Sequence, residues 1–416
     1  MPNPAPTLGI YVSIPFCRAK CSYCNFASGV FGSERMAAYV EMLTADIRAI
    51  SEHAATWGAK LPRIADSLYF GGGTPSLLSP EQMRQIMHAL QEIVSFTSSA
   101  EITLECAPGQ LSEDLLQAMP GMGFNRVSLG VQSFVDQEAA AVGRLHTREI
   151  TLKEIQRLRA AGIADINVDL IAGLPHQTRE SWNVSLCEAI ATGVPHLSVY
   201  MLDVDEDSRL GREMIAGGTR YGVGMVPNEQ TIADLYTEAC ERFAAAGIAH
   251  YEISNFARAG HESRHNLKYW TRQPYLGFGL DAHSFVPTTD GHAIRAGMTD
   301  DLAVYLDLSR RRNELETVTP VSAIDAMEEA WFLGLRLTDG ISLRSMQRQF
   351  GEAATHMFQS TVLECEEQGL LERQHDKVRL TPRGRLFSND VFARFLGVLP
   401  EQKTAGISLQ QQGVGA

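Results

Sequence analysis

Six short β-rich runs alternate with amphipathic helical stretches in the first half of this 416-residue chain. The strand candidates are 9–14, 67–71, 101–105, 126–131, 166–171 and 197–202, and the helices between them include 34–53, 80–94, 148–161 and 178–192. Such alternation predicts βαβ units and a parallel sheet. Several runs are apolar nearly throughout, as expected of strands covered on both faces. We therefore predict an α/β fold over this part of the chain, in the form of an open or a closed barrel of parallel strands.

The second half of the chain reads differently. A helix over 227–247 opens a connecting region, 211–319, in which the Gly- and aromatic-rich stretch 250–298 looks irregular. Three helices (321–337, 342–350 and 353–369), a short hairpin (371–381) and a last helix (382–396) then predict a winged-helix-like α+β module over residues 320–398. The polar, Gly- and Gln-rich remainder, 399–416, is predicted to be a disordered tail.

Charge argues against a nucleic-acid partner. The formal net charge is -13, and residues 320–396 carry nine Lys and Arg against eleven Asp and Glu. An acidic winged helix is poorly suited to binding nucleic acid, because binding the phosphate backbone requires a basic surface. No signal peptide or apolar run of about 18 residues is visible, and seven cysteines in a chain of this length indicate a reducing cytoplasm. Peripheral membrane contact and a homodimer stay open.

Three of the cysteines, Cys17, Cys21 and Cys24, crowd into one short loop after the first strand candidate. Structural zinc usually takes four ligands, and oxidoreductase chemistry needs only two thiols. A [4Fe–4S] cluster normally takes four thiolates, so three would leave one iron open to a substrate or cofactor. The alternative, three unrelated free cysteines, is disfavoured because such cysteines seldom cluster.

Other candidate residues follow the later strands, at the rim where such folds place their chemistry. The segment "YFGGGTPS" (69–76) lacks the Lys of a P-loop and the spacing of a dinucleotide fingerprint, so by itself it indicates a turn. A carboxylate suits a ribose diol and a guanidinium suits a carboxylate, although any one rim charge alone is more often solvated or a cap. The polar rim candidates are Glu105, Gln132, Arg144 and Asp169.

With these residues in view, the chain resembles the radical S-adenosylmethionine (SAM) proteins. Cys17, Cys21 and Cys24, with Tyr23, match the family's cluster motif, and "ECAPG", "GRLHT", "DLIAGLPHQT" and "YEISNFA" resemble its oxygen-independent coproporphyrinogen III oxidase-like branch. The resemblance implies a partial (β/α)6 TIM-like barrel over residues 1–210. It also implies a [4Fe–4S] cluster, with SAM bound at the open iron and an electron donor for the cluster. It also implies a set of SAM contacts: Tyr11, Gly72, Gly73, Thr74, Glu105, Gln132, Arg144 and Asp169.

Within that branch, the chain is most similar to the heme chaperones of the HemW type. The oxidases carry a fourth cysteine where this chain has Phe26, and a long N-terminal extension where only ten residues precede Tyr11. The segment "HNLKYW" (265–270) matches a motif associated with heme binding, which implies that His265, Tyr269 and Trp270 contact heme. On a helix, His265 and Tyr269 would share a face. Without the resemblance, a packed aromatic turn would be the preferred interpretation.

The residues "HESRH" (261–265) spell a zinc-protease motif, but they follow Gly260 directly and lack the apolar context of such a helix. The context therefore disfavours a zinc protease, and His261 is treated only as a candidate auxiliary heme ligand. The function expected from the resemblance is a heme chaperone that passes heme to apo-hemoprotein acceptors, with no catalytic residue assigned. The alternatives are oxygen-independent coproporphyrinogen III oxidase activity and radical-driven heme modification.

Overall fold

A computed structural model describes residues 6–307 and 315–397. Its main feature is a twelve-stranded sheet with the order β12-β11-β10-β9-β1-β2-β3-β4-β5-β6-β8-β7. These strands are β1 Leu8–Ile14, β2 Ile64–Gly72, β3 Ser95–Cys106, β4 Arg126–Gln132, β5 Asp165–Ala172, β6 His196–Met201, β7 Ala249–Glu252, β8 Asn255–Ala257, β9 Tyr275–Phe278, β10 His283–Pro287, β11 Ala293–Met298 and β12 Glu316–Val321. All six predicted strands and the helices between them are confirmed.

Strands β1 to β6 are parallel and lie in chain order, which makes the predicted partial barrel. Its helices and those of the connecting region are α1 Ser33–Thr56, α2 Pro80–Ile93, α3 Glu113–Ala118, α4 Asp136–Ala141, α5 Arg148–Ala160, α6 Arg179–Ala191, α7 Arg209–Ile215, α8 Glu229–Ala245, α9 Arg264–Trp270 and α10 Leu302–Tyr305. The apolar strand residues face the helices in one continuous core. We call the end where β1 to β6 finish the mouth, and the opposite end the floor.

The expectation of an irregular stretch at 250–298 was wrong. That stretch contains helix α9 and strands β7 to β11. These strands extend the sheet that the barrel strands begin. The strands have only three to six residues, too few for a periodic pattern to show. Gly277 also weakens the strand pattern in the sequence, because glycine is uncommon in strands. It is required here, since a side chain at this position would collide with the backbone of His283.

The C-terminal part forms a module with its own core, built around Trp331, Phe358 and Phe395. A three-stranded sheet, order β13-β15-β14, packs with the helices as in the predicted winged-helix-like arrangement. The strands are β13 Ile341–Ser342, β14 Leu371–Gln374 and β15 Lys377–Leu380, and the helices are Ala323–Gly334, Leu343–Phe350, Ala353–Met357, Gln359–Glu367, Pro382–Leu386 and Ser388–Ala393. The predicted helices 353–369 and 382–396 are thus each broken in two, and the tail 399–416 lies outside the described residues.

No helix within 6–307 or 315–397 is both long and apolar enough to cross a membrane.

Candidate functional site

The cysteine loop follows β1 and is tied down on three sides. The Cys17 N–H donates to the Gly29 carbonyl at 2.8 Å, which closes the loop on itself. The Ser22 N–H donates to the Val142 carbonyl at 3.1 Å, and the Ser22 carbonyl accepts from the Leu210 N–H at 2.8 Å. The loop after β4 and helix α7 therefore fix the cysteines over the mouth of the barrel.

The Gly-rich segment lies directly beside this loop. The Gly73 N–H donates to the Ile14 carbonyl at 2.9 Å, and the Thr74 N–H donates to the Phe16 carbonyl at 2.8 Å. A Cβ at Gly73 would lie 2.7 Å from the Ile14 carbonyl oxygen, and Gly72 has φ 97°. Only glycine permits this approach, so these residues let a ligand reach the backbone next to the cysteines.

Arg144 joins the cysteine loop to β4. Its guanidinium donates to the Gly130 carbonyl and, at 3.4 Å, to the Cys21 sulfur. Its Nε and the Oε1 of Gln132 are buried and have no hydrogen-bond partner among the described residues. Both side chains line the cavity described below, so they offer a donor and an acceptor to a polar ligand there.

Two carboxyl groups complete the mouth, and both are pushed toward their protonated form. Burial raises the pKa of Glu105 to about 8, although the Tyr69 hydroxyl donates to it at 2.9 Å. Burial also raises the pKa of Asp169 to about 6, against hydrogen bonds from Ser128 at 3.1 Å and Asn167 at 2.6 Å. A ligand that brings positive charge or hydroxyl donors would stabilise both carboxylates.

These residues meet around a single cavity of about 310 Å³. The predicted site residues that line it are Cys17, Cys21, Cys24, Gly72, Gly73, Glu105, Gln132, Arg144 and Asp169. Two other predicted contacts border it: a Cβ on Gly72 would lie 3.5 Å from the Tyr11 hydroxyl, and Thr74 adjoins the Gly-rich turn. The predicted cluster and SAM residues are thus brought together at the mouth.

The donor chemistry fits an iron–sulfur cluster with a polar ligand beside it. The three thiols are unpaired, and burial raises the pKa of Cys17 and of Cys24. In the described part of the chain, no three His, Cys, Asp or Glu side chains converge as a finished metal site. The thiols share one cavity, and holding a cluster would require their side chains to turn toward one another.

The "HNLKYW" segment lies elsewhere, at the floor. It forms helix α9, whose first N–H groups at Arg264 and His265 donate to the Glu101 carboxylate at 3.0 Å each. His265 and Tyr269 share a face, as predicted, and His265 Nε2 is 2.8 Å from the Tyr269 hydroxyl. His265 Nδ1 is 3.0 Å from the Ser67 hydroxyl, so both ring nitrogens already have partners.

The predicted heme contacts His265 and Trp270 are both buried. Burial, together with the charge of Lys268, lowers the pKa of His265 to about 3, which keeps the ring neutral. Trp270 is only 6% exposed, and the guanidinium of Arg336 lies 4.1 Å from the centre of its ring. His261 lies outside helix α9, with Nδ1 3.5 Å from Asp165. His261 and His265 therefore do not share a helical face, and the zinc-protease interpretation fails.

Sequence reasoning missed the residues that hold the carboxyl groups in place. Tyr69 donates to Glu105, while Ser128 and Asn167 donate to Asp169. Ser128 and Asn167 lie in buried strands at alternate positions with the predicted site residues Gln132 and Asp169, so each faces the same side of its strand as that residue. That alternation could have revealed Ser128 and Asn167, whereas Tyr69 gives no such signal because its partner, Glu105, lies on another strand.

Comparisons with known proteins agree with this geometry. Residues 11–186 match the radical SAM superfamily, and residues 321–387 match the HemN C-terminal domain. A heme chaperone HemW from Bacillus subtilis is 33% identical over 94% of this chain and 99% of the relative. The HemW of Escherichia coli is 29% identical over 94% and 98%.

Among solved structures, the coproporphyrinogen III oxidase HemN of Escherichia coli, described as a radical SAM enzyme, has a TM-score of 0.79. It is 24% identical and covers 95% of this chain and 91% of its own, which shows a shared fold. The chain therefore belongs to the radical SAM proteins, in the coproporphyrinogen III oxidase-like family that contains the HemW heme chaperones.

Proposed function

We propose that the protein is a heme chaperone: it binds heme and transfers it to acceptor hemoproteins. The observation that carries the proposal is the cavity in which three cysteines meet the rim residues, in a chain similar over nearly its full length to proteins named heme chaperones. None of the seven cysteines forms a disulfide, which supports the proposal that the protein functions in a reducing cytoplasm. Phe26, where the oxidases have a cysteine, favours the chaperone over the oxidase.

In this proposal Cys17, Cys21 and Cys24 hold three irons of a [4Fe–4S] cluster, and SAM occupies the open iron. Gly72 and Gly73, with Thr74, leave room for the methionyl part of SAM against the turn. A reduced cluster of this kind supplies an electron to SAM, which requires a separate electron donor. The chain's own part is to bind, orient and shield these groups.

The polar residues are proposed to contact the other parts of SAM. Arg144 and Gln132, whose Nε and Oε1 atoms have no hydrogen-bond partner among the described residues, are proposed to contact the carboxylate and amino groups. Glu105 and Asp169 are proposed to accept hydrogen bonds from the ribose hydroxyls. Tyr11 borders the Gly72 side of the same space.

Heme is proposed to contact His265, Tyr269 and Trp270. A neutral imidazole is the form that binds iron, and His265 is kept neutral. Because both of its ring nitrogens are hydrogen-bonded, the bond to Ser67 or the bond to Tyr269 must break before iron can bind. Heme binding in this proposal therefore includes an opening of the floor around helix α9.

The experiment is an anaerobic heme titration of the cluster-loaded protein, followed by optical spectra. The wild type should bind heme in a saturable way, and His265→Ala should weaken binding at least tenfold. His196→Ala is the matched control, because His196 is equally buried with ring nitrogens 2.6 Å from Asn167 and 2.8 Å from Tyr251. An equal loss in both variants would argue against a heme contact at His265.

The same preparation tests the alternatives. Anaerobic incubation with coproporphyrinogen III, SAM and a reductant should leave the porphyrinogen unchanged. Decarboxylation to vinyl groups would instead establish the oxidase activity, and a changed heme mass would establish heme modification. Either result would replace the chaperone proposal.

A further inference from the structure

Tyr69 touches both groups of predicted residues, those at the mouth and those at the floor. It lies on β2 beside Tyr11 of β1, its partner in the parallel register. Its hydroxyl donates to Glu105 Oε1 at 2.9 Å. Its ring stacks on His265, with 5.3 Å between centroids and 24° between planes. One side chain thus connects a proposed SAM contact to a proposed heme contact.

The connection is buried and continues on both sides. Tyr69 is 2% exposed and His265 is 1% exposed. The His265 ring meets Tyr269 edge-on at 5.1 Å, and Tyr269 meets Tyr275 of β9 at 4.6 Å. Because packed interiors do not deform continuously, a shift of the Tyr69 ring must be accommodated by its neighbours. Releasing His265 therefore disturbs Tyr69.

We infer that Tyr69 is a positioning residue that couples the two ends of the barrel, so that SAM at the mouth and heme at the floor weaken each other's binding. The inference rests on the proposed function and names the regulation of its two ligands. Neither ligand needs to touch the other, because the Glu105–Tyr69–His265 contacts carry the effect.

The sign of the coupling follows from the hydrogen bond. A ligand that donates hydroxyl groups to Glu105 favours the charged carboxylate, and a charged carboxylate holds the Tyr69 hydroxyl more tightly. A tightly held Tyr69 ring keeps His265 packed against it, bonded to Ser67 and Tyr269. Heme must break that packing, so bound SAM opposes heme, and by linkage bound heme opposes SAM equally.

The test is a pair of anaerobic heme titrations of the cluster-loaded full chain, without SAM and with saturating SAM. The wild type should bind heme roughly tenfold more weakly with SAM, the size of one charge-assisted hydrogen bond. Tyr69→Phe keeps the stacked ring and removes the hydroxyl, so the ratio of the two heme dissociation constants should fall to about one. SAM titrations with and without heme should give the same ratios.

Two variants separate coupling from general damage. Tyr305→Phe also removes a buried tyrosine hydroxyl that donates to a carboxylate, Asp46, at 2.6 Å, and it should keep the wild-type ratio. Ser67→Ala frees His265 Nδ1 without touching Glu105, so it should tighten heme binding and keep the ratio.

The outcomes are distinct. A wild-type ratio of one, or a ratio that survives Tyr69→Phe, overturns the coupling while leaving the heme chaperone intact. Failure of the wild type to bind heme in the absence of SAM overturns the proposed function and the coupling with it.

Discussion

At the scale of single residues, the carboxyl groups of Glu105 and Asp169 at the mouth of the barrel are buried away from water. Glu105 is the sharper case, since burial outweighs the hydrogen bonds that favour its charged form and raises its pKa to about 8 from the usual 4.5. The folded protein therefore holds this proton to higher pH than the unfolded chain does. The stabilisation is complete below pH 4.5 and is lost as the pH rises toward 8.

This predicts a pH dependence that Glu105→Gln removes. Without SAM, the wild type should lose about 1.4 kcal/mol of unfolding free energy per pH unit, relative to the variant, between pH 5 and 8. Urea denaturation at three pH values in that window measures the difference. Parallel curves for the two proteins would show that Glu105 is charged throughout.

Arg144 supports a second prediction. Its planar guanidinium reaches the Gly130 carbonyl and the Cys21 sulfur at once, which the ammonium group of a lysine cannot reproduce. Arg144→Lys should weaken SAM binding to the cluster-loaded protein roughly 10- to 100-fold. The exposed Arg148→Lys, which alters only a pair with Glu188, is the control for calorimetric SAM titration. Equal SAM affinity in both variants would remove Arg144 from the site.

The sequence could predict that most of the mouth residues lie close together, because they belong to or follow parallel strands whose ends meet at one edge. It could not place "HNLKYW" at the floor, since helix α9 is positioned by Glu101, which lies 164 residues earlier than His265. The supporting hydroxyl of Tyr69 was hidden for the same reason. Its partner, Glu105, is on another strand, and single-sequence patterns carry no pairing information.

At the scale of elements, helix α9 is held to the barrel by a buried charge. Lys268 Nζ lies 2.7 Å from Asp66 Oδ1 and also donates to Thr7, and the lysine side chain is 3% exposed. Breaking such a pair leaves a charge without its partner. The helix that closes the floor is therefore anchored at its C-terminal half as well as capped at its start.

Lys268→Met should lower the unfolding free energy by about 3 kcal/mol. Lys377→Met is the matched control, because Lys377 makes an equally short contact of 2.7 Å with Asp339, but at the surface. It should leave the stability nearly unchanged. Thermal denaturation of the two variants compares them, and similar melting temperatures would contradict the anchoring role of Lys268.

At the scale of the whole molecule, the barrel and the C-terminal module meet at a junction with a buried charge. Ile253, in the turn between β7 and β8, belongs to the module's core, and its N–H donates to the Arg336 carbonyl at 3.1 Å. The Arg336 guanidinium lies 3.8 Å from the fully buried Glu252 and covers Trp270. The module thus closes over the same helix that carries the proposed heme contacts.

Arg336→Ala should loosen this junction, because Glu252 is left buried without its cationic partner. We expect the module to melt at lower temperature than the barrel in calorimetry, as a separate transition. Arg379→Ala, which breaks an exposed pair with Glu372 inside the module, should melt like the wild type. A single unshifted transition in Arg336→Ala would show that other contacts hold the module.

Whether the protein carries heme to other proteins is tested most directly by a transfer measurement. Heme-loaded protein with its cluster intact is mixed anaerobically with an apo-hemoprotein such as apomyoglobin, and the acceptor's heme absorption is followed with time. We expect heme to move to the acceptor faster than it dissociates from the chaperone into a passive heme scavenger. Transfer no faster than passive dissociation, or porphyrinogen decarboxylation by the same preparation, would contradict it.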